Sequence, residues 1–464
     1  MREMRGWVIA IGITTGCFSP TVAPGLPCSE NGTCPEGQRC VSATCLPITD
    51  GDASLDPDAA IDAMIDACPA AVCVNDDLVG CGAPVTCATG CSEDGGAHCR
   101  QLVPSLGLTP ALLTGVTADV TGNDWDFNTE DGQVRRGNII LRVAGPGVIA
   151  GIGFEVIDGM GVFTANSFVV GTTDDFKGNG DNTLVLYSAT TIEVLGEVDV
   201  GGDTGAGGPG GSDASSFMSG LNCRGRAGRF FAAGFGEGGG GGGGRTAGGN
   251  GGASNQGASA GLGGTLCTEK PTTTPALRGG AGGGHGGASS SNSGGGGGGA
   301  VALIAMQSIT ISGNVGAPGG GGQAGDGPTA PNGDGGGGGG GGGAILLEAP
   351  SVTITGAITA NGGGGGAPFI GDGLRGFMSS ATTASGGTYS GPGGTASGGR
   401  GGAGLSSPLG GGTYIESDAT PVVIITRGAG GGGAAGRIEI RSHVRVTDDA
   451  TISPPPTTTD ATLE

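Results

Sequence analysis

Cysteine is the residue type with the clearest chemical pattern in this sequence. Thirteen cysteines are present, and closely spaced thiols in an exported chain form disulfides. Leaving aside Cys17, near the N-terminus, the number is even. The twelve disulfide candidates form a group of four, a group of six and a separated pair: Cys28, Cys34, Cys40, Cys45, Cys68, Cys73, Cys81, Cys87, Cys91, Cys99, Cys223 and Cys267. Their pairing is left open, but a Cys223–Cys267 bond would close a loop of about 45 residues and contribute about 4 kcal/mol.

Nucleophilic and acid–base catalysis find little support. Gly257-Ala-Ser259-Ala-Gly261 matches the hydrolase elbow Gly-x-Ser-x-Gly, but that elbow needs a strand before the serine and a helix after it. Such a match is expected by chance in a glycine-rich stretch. Glu193, Glu348 and Glu439 are isolated in the sequence, so no carboxylate pair for glycoside hydrolysis is indicated. We therefore nominate no catalytic residue and predict that the protein is not an enzyme.

Metal binding is equally weakly indicated. Residues 50–56 resemble a calcium loop, but Leu55 and Ile61 occupy the positions that need glycine and a bidentate glutamate. Residues 177–184 resemble one degraded calcium β-roll repeat, whose ligands come from successive turns. Zinc is unsupported because the three histidines are far apart and near no Cys-x-x-Cys motif: His98, His285 and His443. No metal or cofactor is predicted.

The N-terminus indicates export. Residues 1–16 have a basic start and a short apolar run, which is typical of a secretory signal and too short to span a membrane. Gly16-Cys17 resembles a bacterial lipoprotein signal, and this resemblance implies that Cys17 is lipidated and anchors the chain to a membrane. Thr14 stands where that family usually has leucine, and the alternative is a secreted protein cut near Ala23. The formal net charge of −21 disfavours nucleic acid and anionic lipid as partners.

Four short segments repeat one pattern: an apolar-x-apolar strand, a corner, a second such strand and a tight bend. Their first strands begin at Leu184, Val301, Ile345 and Ile438, and their second strands at Ile192, Ile309, Val352 and Val444. Alternation with period two predicts strands with one buried face. Repetition of such units is typical of a solenoid. The sequence therefore predicts an all-β fold, a parallel β-helix whose N-terminal end is covered by Trp125 and Phe127.

Long glycine tracts separate the repeated units. The chain has 113 glycines but only 12 Phe, 3 Tyr and 2 Trp, so a conventional core is poorly supplied. Tracts such as Gly238–Gly244, Gly294–Gly299 and Gly335–Gly343 are predicted to be loop insertions that leave one corner of the stack. They are either flexible coil or polyproline-II strands that hydrogen-bond sideways to neighbours. We favour partial packing because tracts entering and leaving the same corner lie side by side.

Composition divides the chain into segments. The small Cys-rich parts cannot bury enough apolar surface without disulfides, and the aspartates of the linker keep it extended. The predicted segments are a signal peptide (1–16), a lipid-anchor region with a small disulfide knot (17–48), an acidic linker (49–67), a second Cys-rich module (68–104), an N-terminal β region that caps the solenoid (105–180), the glycine-rich β-helix repeats (181–453) and a disordered tail (454–464).

Three features together resemble the glycine-rich surface lipoproteins of Gram-negative bacteria: Gly16-Cys17, the Cys-Pro-Glu-Gly-x-x-Cys segment at 34–40, and the repeat at 342–363. The resemblance implies a β-helical architecture at the outer membrane or cell surface and implies no activity. The expected function is a non-enzymatic structural or adhesive display scaffold. Its expected partners are the membrane, through the lipid, and polysaccharide or other surface polymers.

Two alternatives to the scaffold remain. A carbohydrate-binding or carbohydrate-active β-helix protein would need a groove with several carboxylates in reach of one another. An ice- or surface-binding protein would use flat threonine and glycine arrays, for which Thr353, Thr355 and Thr359 are the candidates.

Overall fold

A computed structural model describes most of the chain. The described residues are 38–41, 44–47, 71–80, 83–87, 89–214, 223–231, 235–254, 260–267, 277–287, 292–325, 334–417 and 424–464. They belong to two compact units, Met1–Pro69 and Ala70–Glu464. The predicted signal peptide and acidic linker lie outside the described residues, as do Ser259 and five of the named cysteines: Cys17, Cys28, Cys34, Cys68 and Cys81.

The fold is all-β, as predicted, and among the described residues the only helix is a 3-10 turn, Pro110–Leu113. The first strands are β1 (Gln38–Val41), β2 (Thr44–Pro47), β3 (Val72–Val74), β4 (Asp77–Val79), β5 (Val85–Thr86), β6 (Cys91–Ser92), β7 (His98–Cys99), β8 (Asp119–Thr121), β9 (Trp125–Asn128), β10 (Val134–Arg136), β11 (Ile139–Arg142), β12 (Gly147–Ile149), β13 (Ile152–Ile157), β14 (Met160–Ala165), β15 (Ser167–Val170), β16 (Asp175–Asn179), β17 (Thr183–Ser188), β18 (Thr191–Val194) and β19 (Glu197–Asp199). The later strands are β20 (Phe230–Phe231), β21 (Phe235–Gly236), β22 (Ala300–Ala305), β23 (Ser308–Ile311), β24 (Asn314–Gly316), β25 (Ala344–Glu348), β26 (Ser351–Ile354), β27 (Ala357–Thr359), β28 (Thr388–Gly391), β29 (Gly394–Ser397), β30 (Thr413–Ser417), β31 (Ile424–Gly428), β32 (Arg437–Arg441), β33 (Val444–Val446), β34 (Thr451–Ser453) and β35 (Thr457–Thr459).

Three sheets contain most of these strands. Sheet 1 has the order β12-β13-β14-β17-β22-β25-β32-β35, sheet 2 the order β8-β15-β18-β23-β26-β33, and sheet 3 the order β11-β10-β9-β16-β19-β24-β27-β34. Sheets 1 and 3 begin with antiparallel pairs and continue with parallel ones, so both are mixed. Sheet 2 is parallel throughout.

The four repeated units occupy equivalent places in these sheets. In sheet 1, Leu184 pairs with Val301, Val301 with Ile345, and Ile345 with Ile438, which is the register that the repeat predicts. Each unit passes from sheet 1 to sheet 2 to sheet 3. The strand in sheet 3, such as Glu197–Asp199, was predicted only as a tight bend. Three residues are too few for period-two alternation to be recognised in the sequence.

A column of glycines forms the corner between sheets 2 and 3. An added Cβ would lie 2.1 Å from the Gly171 carbonyl oxygen at Gly196, 2.0 Å from that of Gly196 at Gly313, and 2.0 Å from that of Gly313 at Gly356. Real Cβ atoms essentially never come within 3.0 Å of another heavy atom. Successive units therefore stack too closely at this corner for any side chain, which explains the glycine in three of the four repeats.

The second strand of the fourth unit differs by one residue from the predicted alignment. The repeat equates Val444 with Val352, but the structure pairs Val352 with Arg445. A shift of one residue exchanges the two faces of a strand, so Val444 and Val446 are 50% and 39% exposed. β33 is the last strand of sheet 2, so no further described strand covers it and its valines can face solvent. There Arg445 forms an ion pair of 3.0 Å with Asp460.

Aliphatic side chains on the facing sides of the three sheets form one large core cluster. Aromatic rings fill its N-terminal end. Trp125 and Phe127 are buried there, and the Phe127 ring lies 5.1 Å from that of Phe163 and 5.4 Å from that of Phe176. This is the end that the sequence assigns to the aromatic pair. Rings at these separations add specific edge and offset contacts to the area that they bury.

The outer face of sheet 1 is apolar as well. Val185, Ala302 and Leu346 are buried there, in a second cluster to which leucines of residues 102–113 contribute. A sheet buried on both faces shows continuous apolar runs rather than alternation. This second layer accounts for runs such as Ala300–Ala305, in which every residue is buried.

The C-terminal residues complete sheet 1, and the predicted disordered tail at 454–464 is wrong. Thr457–Thr459 forms β35 and pairs in parallel with β32. Leu463 pairs with Leu102 and packs against the second cluster. The three prolines end the repeat, but the residues after them find backbone partners and an apolar surface, which are enough to order them.

A buried carboxyl group holds the segment 102–113 against sheet 1. Glu348 is 1% exposed, and it accepts hydrogen bonds from the Ser105 N–H at 3.1 Å and from the Ser105 hydroxyl at 2.8 Å. Burial raises the pKa of Glu348 above its ordinary value. Burial, together with the charge of Glu348, also raises the pKa of Tyr187 to about 12.

We expect Glu348→Gln to remove part of the pH dependence of stability. Because the pKa of Glu348 is raised in the folded state, the folded protein binds this proton more tightly than the unfolded chain does. Its contribution to the free energy of unfolding is therefore fully present below the ordinary pKa of glutamate, about 4.3, and is lost as pH rises through the folded-state value. As pH rises across this range, the thermal midpoint of wild type should fall relative to that of the variant. Glu193→Gln, on sheet 2, is the control, and equal pH slopes for Glu348→Gln and wild type would contradict the assignment.

Candidate functional site: a glycine bundle and a polar sheet face

The described cysteines have structural roles. Cys40 is disulfide-bonded and lies opposite Cys45 in the β1–β2 hairpin. Two further bonds join β-strand segments of the second Cys-rich region, and a third lies among the glycine tracts and joins residues 44 apart. These three are Cys73–Cys91, Cys87–Cys99 and Cys223–Cys267. Such bonds form in oxidising compartments.

One central glycine segment and the six that surround it pack side by side, outside the three sheets, and are together called the glycine bundle. Each long connection between units runs from sheet 3 back to sheet 1, so the segments that leave sheet 3 or enter sheet 1 begin or end at the same corner, and two more lie in the middle of the longest connection. They are buried over most of their length. The segments are 237–244, 281–287, 292–299, 317–323, 334–343, 360–367 and 428–436.

The central segment, 334–343, donates hydrogen bonds to three neighbours with a period of three residues. All nine amides of Gly335–Gly343 donate to backbone carbonyls, at 2.7 to 3.0 Å. Residues 335, 338 and 341 donate to 287, 284 and 281; residues 336, 339 and 342 to 428, 431 and 434; and residues 337, 340 and 343 to 323, 320 and 317. Successive amides therefore point a third of a turn apart, as in an extended helix with three residues per turn.

The same segment accepts hydrogen bonds from three other neighbours. Amides of segments 237–244, 292–299 and 360–367 donate to it, again at intervals of three residues: 239 and 242 to 336 and 339, 295 and 298 to 338 and 341, and 363 and 366 to 340 and 337. Six segments thus surround one. Every backbone donor in its glycine run is satisfied without any side chain, which meets the requirement that buried backbone groups be paired.

Only glycine fits at the centre of this bundle. An added Cβ at Gly338 would lie 2.1 Å from the carbonyl oxygen of Gly240, and one at Gly339 would lie 2.1 Å from that of Gly363. The obstacle is backbone on every side, and it cannot rotate away as a side chain can. Of the two states that the sequence allows, these described tracts adopt lateral packing rather than flexible coil.

One side-chain cluster lies among the glycine segments. The Arg427 guanidinium lies 4.2 Å from the centre of the Phe369 ring, and the rings of Phe369, Tyr389 and Tyr414 are 4.3 to 5.2 Å apart. Burial lowers the pKa of Arg427, and the charge of Asp334 acts in the opposite direction. The guanidinium stacked on the Phe369 ring adds side-chain contacts in a region where most residues are glycine and have no side chain.

The outer face of sheet 3 gathers polar and charged side chains from distant parts of the sequence. Arg135 pairs with Asp126, Asp126 with Lys177, and Lys177 with Asp199. Arg375, from a later glycine segment, forms an ion pair of 2.6 Å with Asp199. The inner residues of the same strands are core side chains, so the alternation along each strand fixes which groups face outwards.

The carboxyl groups of this face have different electrostatic environments. Asp175 forms an ion pair with Lys177 at 2.5 Å, and the hydrogen bond from Lys177 lowers the pKa of Asp175. Glu197 lies opposite Asp175, and burial, followed by the charge of Asp199, raises the pKa of Glu197. Nothing in the sequence order indicates this cluster, because only the register of β9, β16 and β19 brings its members together.

The residues singled out from the sequence as isolated remain apart from this face. Glu193 lies on sheet 2, and Glu348 and Glu439 lie on sheet 1. In the part of the chain that the structure describes, no group of three or more His, Cys, Asp or Glu side chains could hold a metal ion. That part includes all three histidines; burial lowers the pKa of one of them, His285.

The threonine array is smaller than the ice-binding alternative requires. Thr353 is half-buried and Thr355 is exposed, and Thr355 hydrogen-bonds to Ser312. Thr359 is fully buried and donates to the Met378 carbonyl at 3.0 Å. A flat surface built from all three threonines is therefore not present.

Comparison with protein-family models, with curated proteins and with solved structures finds no match to this chain. Within the described residues, no helix is long and apolar enough to cross a membrane.

Proposed function

We propose that the three sheets are the faces of one parallel β-helix and that the glycine bundle consists of polyproline-II helices. Two observations support this arrangement. Each repeated unit contributes one strand to each sheet in the same order, and successive units pair in parallel. The hydrogen bonds of the bundle have a period of three and run only between segments, which are the features of polyproline-II geometry.

The protein acts as a non-enzymatic display scaffold, structural or adhesive, exported and held at the outer surface of the cell by a lipid on Cys17. The observation that carries this proposal is the hydrogen bonding of the glycine bundle, in which one glycine segment is bonded to six others and every amide of Gly335–Gly343 has an acceptor. A body that satisfies its backbone internally with so few large side chains presents a fixed surface. The disulfides of the Cys-rich segments suit an oxidising exterior.

An enzymatic role is less well supported. The carboxylates of sheet 3 are the best candidates for acid–base chemistry, since their pKa values shift in opposite directions, a pattern shared with glycosidases. However, Asp175 and Asp199 are both held in ion pairs. Ion pairs of this kind keep both carboxylates ionised and fixed in position, which suits binding, the role that we propose for this face.

We expect Cys17→Ala to abolish membrane attachment. The wild-type chain should incorporate labelled palmitate and be cleaved by protease added to intact cells. The variant should lose the label and enter the medium or periplasm, because the lipid on Cys17 is the attachment to the bilayer in this proposal. Cys40→Ala is the matched control and should keep the label. Unlabelled wild type, or an unlabelled variant that stays on the cell, would overturn the anchored scaffold.

A further inference from the structure

A polar pocket opens on the outer face of sheet 3, at its N-terminal end. It has a volume of about 230 Å³ and is lined by residues of three adjacent strands and by the residue that precedes β10: Asp126, Asn128, Arg135, Asn179 and Gln133. Pockets for drug-sized ligands measure about 300–1,000 Å³. This pocket is smaller and therefore suits one ring-sized unit of a larger molecule.

Charge identifies the class of ligand. The lining contains one carboxylate, Asp126, and one guanidinium, Arg135, and its other members are neutral amides. An anionic ligand would meet the carboxylate of Asp126, and a cation would meet the guanidinium of Arg135. Because the two charges balance, a neutral ligand meets no net repulsion in this pocket, whereas a ligand of one net sign meets one like charge. Such a ligand must also be rich in hydrogen-bonding groups, because the lining is almost entirely polar.

Hydrogen bonds within the pocket hold its side chains in place. Arg135 Nε donates to Gln133 Oε1 at 2.5 Å, Asn179 Nδ2 donates to Asp126 Oδ1, and Asn128 Oδ1 accepts from the Glu130 N–H at 2.9 Å. Groups fixed before binding lose less conformational entropy when a ligand arrives.

Several groups of the pocket retain hydrogen-bonding capacity. The Arg135 Nη atoms, Asn128 Nδ2, Gln133 Nε2 and Asp126 Oδ2 have no other partner among the described residues. They combine donors and an acceptor within one small volume, as a ring bearing several hydroxyl groups requires.

Rigid packing beneath the pocket also holds its lining residues in fixed positions. Asp126 and Asn128 alternate along β9 with Trp125 and Phe127, whose rings are buried in the aromatic end of the core. The antiparallel partner β10 and the parallel partner β16 fix the other lining residues at the same level. A site built on strands is more precisely positioned than one on loops.

The geometry points to a binding site for one neutral sugar unit of a polysaccharide, formed by Asp126, Asn128, Gln133, Arg135 and Asn179. This site deepens the proposed function, on which it rests, by naming the chemical class of the surface polymer that the scaffold contacts. Further polar side chains, those of Lys177, Asp199 and Arg375, lie beyond the pocket on the same face of sheet 3. Adjoining units of the polymer would lie against them.

The test is affinity electrophoresis of the full chain in gels containing neutral galactomannan or dextran, with alginate and chitosan as charged comparisons. We expect retardation by a neutral polymer. Asp126→Ala and Arg135→Ala should each weaken it at least tenfold, whereas Glu193→Ala, on sheet 2, should leave it unchanged. Thermal unfolding of every variant is measured in parallel, and an unchanged midpoint separates loss of binding from loss of the fold.

Three outcomes would overturn the sugar site: retardation by neither neutral polymer, equal retardation of wild type and both pocket variants, or retardation by the charged polymers alone. Calcium titration of the same proteins is added, and calcium binding that is lost in Asp126→Ala would replace the sugar site with a cation site. Because this experiment uses purified protein, its failure is separate from failure of the membrane-anchor test, which is made on cells.

Discussion

Gly338→Ala is expected to destabilise the glycine bundle as strongly as a large core truncation does. The added methyl carbon would lie 2.1 Å from the carbonyl oxygen and 2.5 Å from the carbonyl carbon of Gly240. Overpacking a core with an extra methylene costs about 1–3 kcal/mol when neighbouring side chains can adjust. Here only backbone is available to move, and moving it breaks hydrogen bonds to surrounding segments. We expect a loss of about 3 kcal/mol or more, measured as a lower thermal midpoint in calorimetry.

Gly412→Ala is the matched control for this experiment. Gly412 lies in the same glycine-rich region, but the nearest atom to its added Cβ, the Ser397 carbonyl oxygen, is 3.4 Å away, an ordinary contact. The exchange of glycine for alanine should therefore be close to neutral there, or slightly stabilising through the unfolded chain. Equal midpoints for Gly338→Ala and wild type would show that the tract is not packed in solution.

The double substitution Cys223→Ser with Cys267→Ser is expected to produce the second large effect. The disulfide joins residues 44 apart, and removing a cross-link over such a loop costs about 4 kcal/mol in the chain-entropy model. The bond also lies where segment 237–244 ends. Gly243 N–H donates to the Cys223 carbonyl at 2.9 Å, and Cys267 N–H donates to the Gly244 carbonyl at 3.0 Å.

Protease sensitivity locates the effect of this substitution. Without the bond, the two ends of this loop are held only by backbone hydrogen bonds, so cleavage between residues 223 and 267 should precede global unfolding. The control is Cys87→Ser with Cys99→Ser, which removes a bond between residues 12 apart in the Cys-rich region. That variant should leave cleavage of the bundle unchanged. A Cys223/Cys267 variant with the wild-type midpoint and cleavage pattern would refute the role assigned to the bond.

Local patterns predicted the elements whose residues alternate over four or more positions. The second strand of each of the first three units follows from alternation, whereas their first strands were expected to have one buried face and are buried on both. The register in sheet 1 follows from the equivalence of Leu184, Val301, Ile345 and Ile438. The third strand is too short to alternate. The one-residue error at Val444 arose because an exposed terminal strand carries valines on its outer face, where pattern alone assigns them to the core.

The candidate sites were harder to predict because they depend on long-range register. The pocket residues Asp126, Arg135 and Asn179 are brought together by pairing of β10, β9 and β16, and no motif marks them. Glycine composition indicated that the tracts could pack, yet it carries no information about which neighbour each residue meets. The pairing of residues is seen only in the hydrogen-bond network, because a run of identical glycines does not specify which residues pair.

The uniformity of Gly335–Gly343 has a consequence for how such chains diverge. Because its nine residues are chemically identical, sliding the run by one position recreates every contact, so the alignment of the run is set only by what flanks it, Asp334 and Ala344. A related chain with one glycine more or fewer in this run would keep the same lateral contacts and shift only the residue at which the run begins. Related chains should accordingly vary in the length of the run while keeping the length of every strand.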